Sequence, residues 1–218
     1  MFYPSFTLGQ WYNKPKSEKR KSNPMIVEIF GNFIENLPES PEYLILGFSP
    51  SSVPLQQRWR NNGLSADFLA DYLTTFFPAK EDDPDTQYKQ EEIKGAVSYI
   101  ANELLENAMK FNNDCTNYPI GLSLHLQSDR LIFMITNSIA SNTVQSFQHY
   151  LDKLTNADTQ EMLITQLEEN ALEERGNSSR LGYLTMIEDY GAKLGWKFET
   201  VEKDPTIVTV TTMVQLNI

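Results

Sequence analysis

The chain has a single cysteine, Cys115, among 218 residues. One thiol cannot close an internal disulfide, and no CxxC pair or histidine stands at metal-ligand spacing from it, so it reads as a free thiol. Histidine is almost as scarce. His125 falls on the polar side of a strand pattern and His149 within a helix pattern, and neither is assigned a role. Basic residues are outnumbered, 18 Lys and Arg against 29 Asp and Glu, for a net charge of −11. A polyanion needs a concentrated basic footprint, so a nucleic-acid surface is excluded. The one basic cluster, Lys14, Lys16, Lys19, Arg20 and Lys21, lies in a Pro- and Ser-containing stretch that reads as a solvated arm. No apolar run approaches the roughly eighteen residues of a membrane span, and the N-terminus lacks the charged-then-apolar pattern of a signal peptide. A soluble, cytoplasmic protein without a membrane partner is expected. A Gly-x-Gly-x-x-Gly turn is also missing, which excludes a Rossmann-type dinucleotide site.

What is present is enough apolar material, 40% of the residues, for a real core. The chain divides into an arm (1–24), an N-terminal α/β extension packed on the core (25–90) and a core (91–218). In the extension, Ile26 to Ile34 reads as a short apolar segment and Tyr43 to Phe48 as a strand. Ser65 is the expected N-cap of a helix from Ala66 to Phe77, whose Phe68, Leu69, Tyr72, Leu73, Phe76 and Phe77 form a wide apolar face suited to core packing. Ahead of it, Arg58-Trp59-Arg60 sets two guanidinium groups about an indole, a group that can pin an anion or a flat ring, or equally bind the chain's own carboxylates. Acidic residues gather at Glu81 to Asp85, a loop around Pro78 and Pro84, and along Asp158 to Glu174, a helix with a charged outer face.

The core opens on an expected helix from Glu91 to Phe111. In it, Glu103, Asn107 and Lys110 fall at i, i+4 and i+7, and so share a line on the helix. Ile93, Val97, Ile100, Leu104, Leu105 and Ala108 recur at helical spacing beside that line, so the polar stripe borders the buried face and can line a pocket. In a lone helix the same residues would be an ordinary polar edge. A hairpin follows, Ile120 to Gln127 and Arg130 to Thr136 about Ser128-Asp129, with Leu122, Leu124 and Leu126 alternating with Ser123, His125 and Gln127. A helix from Tyr183 to Lys193 and strands from Leu194 to Val201 and Ile207 to Gln215 close the chain.

This order of elements, with Glu103-x-x-x-Asn107 in the first helix, resembles the GHKL (histidine kinase-like ATPase) fold from about Gly95 to Ile218. The resemblance implies a two-layer α/β sandwich with a mixed, largely antiparallel sheet, and makes residues 91–218 a ligand-binding core. In that family the Asn of the motif holds the magnesium of Mg-ATP and the Glu, where present, is a general base, which would give Asn107 and Glu103 those roles. Two family boxes are altered. The Asp-x-Gly that reads adenine is replaced by Asn137-Ser138-Ile139, and the glycine-rich phosphate lid by Gly176-Asn-Ser-Ser-Arg-Leu-Gly182. An Asn in place of an Asp turns a pure acceptor into a donor and acceptor.

With Leu181 to Gly191, the pattern is similar to small regulators abundant in cyanobacteria and related to the serine kinases and anti-sigma factors of partner-switching pathways. That branch implies FAD in the remodelled pocket, with redox or light sensing and a signalling protein partner; a homodimer is a further open state. The implied ligand set is Glu103, Asn107, Lys110, Asn137, Ser138, Gly176, Ser178, Ser179, Arg180 and Gly182. Three readings are ranked in order: a sensor that signals without turnover, a Mg-ATP-dependent serine kinase with Glu103 as base, and a scaffold with a vestigial pocket.

Overall fold

A computed structural model describes residues 27–49, 55–80, 82–172, 181–203 and 206–218. The described elements run β1 (Val27–Gly31), β2 (Glu42–Phe48), α1 (Leu55–Thr74), α2 (Pro84–Phe111), β3 (Ile120–Leu126), β4 (Arg130–Ile139), α3 (Val144–Asn156), α4 (Thr159–Leu172), α5 (Leu181–Glu188), β5 (Lys193–Lys203) and β6 (Thr206–Asn217). The six strands form one sheet in the order β1-β5-β6-β4-β3-β2.

The expected hairpin forms: β3 pairs with β4 in the register Leu122↔Ile135 and Leu124↔Phe133. Every pairing is antiparallel, so the sheet is not mixed. The reason lies in α1 and α2. Gln90 reaches Thr74 O, Lys94 reaches Asp71 and Ser98 reaches Asp67, so the two helices run out and back as a hairpin. The chain therefore returns to where β2 ended, and Ile120 opens β3 beside Phe48. A parallel neighbour would have required a crossover to the opposite end.

Three expected boundaries move. Ser65 is not the start of its helix but lies inside α1, where packing of Ala66, Leu69, Ala70 and Leu73 outweighs its local preference for a helix end. The helix expected from Glu91 starts at Pro84, which takes the first helical position while Asp83 caps by accepting from Asp85 N–H at 3.2 Å. The division at residues 90–91 thus falls within one continuous helix, and β1 and β2 are the outer strands of the common sheet. The last helix stops at Glu188 and not at Lys193, since Ala192 N–H turns back to Met186 O and Lys193 pairs with Gln215.

Strand alternation sorts the sheet into two faces. Leu124, Phe133, Val214, Leu194 and Trp196 point to one of them and share a core with Val97, Ile100, Leu104 and Leu105 of α2. Phe147 of α3 meets Phe198, and Tyr183 of α5 meets Trp196, so these helices cover that same face. Burying each such side chain contributes on the order of 1.5–3 kcal/mol.

The other face carries no helix among the described residues but is crossed by a strap. β1 and β2 lie at opposite edges, so residues 32–41 must span five inter-strand steps, about 24 Å at the usual strand spacing. Ten residues reach at most about 35 Å extended but only about 15 Å as a helix, so the strap crosses in a largely extended form. The strap is pinned by Asn32 N–H to Leu194 O (2.7 Å), Gln215 Nε2 to Asn32 O (2.6 Å) and Ile34 N–H to Met213 Sδ (3.4 Å). At its far end the Ser40 hydroxyl donates to Leu126 O. A Cβ on Gly195 would collide with the backbone of Asn32 and Phe33, so only glycine lets the strap rest on β5. Under it Ile132 and Met213 are fully buried, apart from the helix-side core. His125, expected on a polar strand face, is buried on this side and stacked by Tyr43.

Candidate functional site

Three polar residues occupy positions that their elements otherwise give to apolar side chains. Asn107 follows Leu104 and Leu105 on the buried side of α2, Asn137 continues the row Leu131, Phe133 and Ile135 of β4, and Thr212 stands between Val210 and Val214 of β6. All three are buried, and with Tyr183 they line one small cavity between α2, α5 and the sheet. Phe111, Ile139 and Phe147 complete its apolar wall. Its volume is about 20 Å³, room for about one water molecule.

The hydrogen bonding within it is incomplete. Among the described residues Asn107 Nδ2 is buried with no partner, a state that costs about 1–3 kcal/mol unless something accepts from it. Asn137 Nδ2 donates to Ser138 O at 2.9 Å, which fixes the amide. Tyr183 lies edge-on to Trp196 with ring centroids 5.3 Å apart, and burial raises its hydroxyl above the ordinary range against the opposing hydrogen bond with Thr212.

Glu103 sits one helical turn before Asn107, against α5. Its carboxylate occupies the space that a side chain at position 182 would need, so Gly182 is what admits it. Burial raises the Glu103 carboxyl above its ordinary value, Glu106 adds to the rise and Lys110 opposes it. A half-buried carboxyl with a raised pKa can hold or pass a proton nearer neutral pH than a free one.

The expected site residues therefore separate. Glu103, Asn107, Asn137 and Gly182 converge at or beside the cleft. Lys110 is exposed, its ammonium 5.5 Å over the Phe111 ring. Ser138 is buried but turned to the loop after α2, where its hydroxyl meets Thr116 Oγ1 at 2.8 Å and Asn112 Oδ1 at 3.1 Å. Gly176, Ser178, Ser179 and Arg180 lie outside the described residues, as do the side chains of Arg58, Trp59 and Arg60. Cys115 is exposed. Thr212 and Tyr183 are additions that sequence reasoning missed; the signal for Thr212 was a hydroxyl in the apolar phase of β6. No helix among the described residues is long and apolar enough to cross a membrane. No known protein family and no curated protein matches the sequence.

Proposed function

We propose that the chain is a signalling regulator with a GHKL-type two-layer sandwich. In this reading its cleft between α2, α5 and the sheet binds a nucleotide-derived ligand, FAD first, and relays redox or light state to a protein partner without turnover. One observation carries it. Asn107 and Asn137, the positions that the resemblance assigns to ligand contacts, lie thirty residues apart in sequence yet line the same cleft, with the Asn107 amide lacking an acceptor among the described residues.

The polar groups there are two amides, a phenol and a hydroxyl among apolar side chains. Their chemistry fits the hydrogen-bonding edge of a neutral ring: Asn107 donates, Thr212 and Tyr183 donate or accept, and the buried Leu104, Ile135 and Val210 exclude water. FAD supplies a ring whose charge and protonation change with its electron count. A cavity of about 20 Å³ has no room for that ring, so binding must widen the cleft. That requirement couples ligand to conformation, since a ligand that binds only the open form shifts the population toward it.

Two alternatives each have an observation in their favour. The raised pKa of Glu103 is the direction in which a general base is tuned, which supports a serine kinase using Mg-ATP through Asn107. The small cavity supports a scaffold with a vestigial pocket. The absorbance spectrum of protein purified without added cofactor is the first test: a flavin spectrum supports the sensor, and a colourless protein that also fails to take up FAD in calorimetric titration ends it. Asn137→Asp, replacing a donor by a charge, should weaken FAD binding and raise ATP affinity in the same titrations. Phosphate transfer from labelled ATP to a partner protein, lost on Glu103→Gln, would establish the kinase instead.

A further inference from the structure

The strap leaves a hollow of about 420 Å³ between itself and the sheet, on the side away from the cleft just described. Hollows that hold small molecules measure about 300–1,000 Å³ and combine apolar walls with a few placed polar groups. Here the strap contributes Phe33, Ile34 and Leu37, and the sheet contributes Ile45 and Met134. Among them, the hydroxyls of Thr136 and Thr211 bond each other at 2.8 Å. Such a pair still has one proton to donate and lone pairs to accept with.

Charge decides the class of ligand. Lys197 and Glu199 line the hollow as an ion pair at 2.9 Å, with side chains 18% and 24% exposed. The other carboxylate on the lining, Glu35 of the strap, is exposed and so a weak, solvated partner. A charged ligand would have to break the Lys197–Glu199 pair, or lie partly desolvated with at most Glu35 as counter-charge, and both are costly. His125 adds no charge near neutral pH, because burial holds its pKa below the ordinary value. A flat apolar ring, in contrast, can lie against Phe33 and the Met134 sulfur and turn one polar edge to the threonines.

We propose that the hollow under the strap is a binding site for an uncharged heteroaromatic molecule of one or two fused rings. It is independent of the cleft, with which it stands back to back: Thr136 and Thr211 are chain neighbours of Asn137 and Thr212, which point through to the opposite face.

Indole is a suitable probe, with tryptamine and indole-3-acetate as its cationic and anionic counterparts. Titrated into protein labelled at Met and Ile methyl groups, indole should shift the NMR signals of Met134 and Ile45 saturably while leaving Met186 in place. The two charged analogues should bind at least about tenfold more weakly. Thr211→Val should weaken indole by roughly three- to tenfold, the worth of one hydrogen bond, and Ile45→Trp should abolish binding by filling the space. Equal affinity for all three probes, or no saturable shift at Met134 and Ile45, would overturn the proposal. So would an unchanged indole affinity in Thr211→Val. If Ile45→Trp fails to fold, the charge series and Thr211→Val still decide.

Discussion

Asn107, Asn137 and Thr212 share one property: each is a polar residue in the buried phase of its element, and the structure brings the three to one place. Glu103 beside them allows a test by pH. Its carboxyl is raised by burial, so the ionised form is penalised in the folded protein. The penalty is absent when pH is below the ordinary value of 4.5, where folded and unfolded chains are both protonated, and grows as pH rises through the raised pKa. Glu103→Gln removes it. The variant should therefore be more stable than wild type to urea at neutral pH, and the gap should close toward pH 4. A gap independent of pH would mean that the carboxylate is not desolvated. The residue scale was only partly legible in the sequence. Glu103 and Asn107 announce themselves by spacing, whereas the turning of Ser138 away from Asn137 depends on which face of β4 meets the loop after α2.

Elements built on strong periodicity were the readable ones. The β3–β4 hairpin forms where the alternation of leucines ends at a turn, and α2 carries its apolar stripe as the spacing requires. Boundaries were less readable, because they depend on partners distant in sequence: α1 extends ten residues before Ser65 along α2, and the strap after Gly31 follows from β1 and β2 standing at opposite edges. At the start of α2 the local chemistry is sufficient. Asp83 accepts from the Asp85 amide, and Asp83→Ala should lower stability by about 1 kcal/mol while Asp83→Asn costs much less. Thermal unfolding of the two variants checks this, and equal melting temperatures would show that Pro84 alone sets the helix start.

At the scale of the whole molecule, one glycine decides how the two edges are tied together. A Cβ at Gly195 meets strap backbone and not a mobile side-chain end, so Gly195→Ala must lift residues 32–33 from β5. Overpacking of this kind costs about 1–3 kcal/mol. Hydrogen exchange at the Asn32 amide, now bonded to Leu194 O, should accelerate in that variant well before global unfolding. An unchanged rate would show that the strap does not rest there. The same topology has a consequence for synthesis on the ribosome. β1 emerges before the strand it pairs with, β5, which follows roughly 160 residues later. At translation speeds of 5–20 residues per second, β1 waits roughly ten to thirty seconds for a partner. Its exposed Val27 and Ile29 are then open to chaperones, and the nascent chain cannot complete its sheet until β6, which joins β5 to β4, has left the exit tunnel.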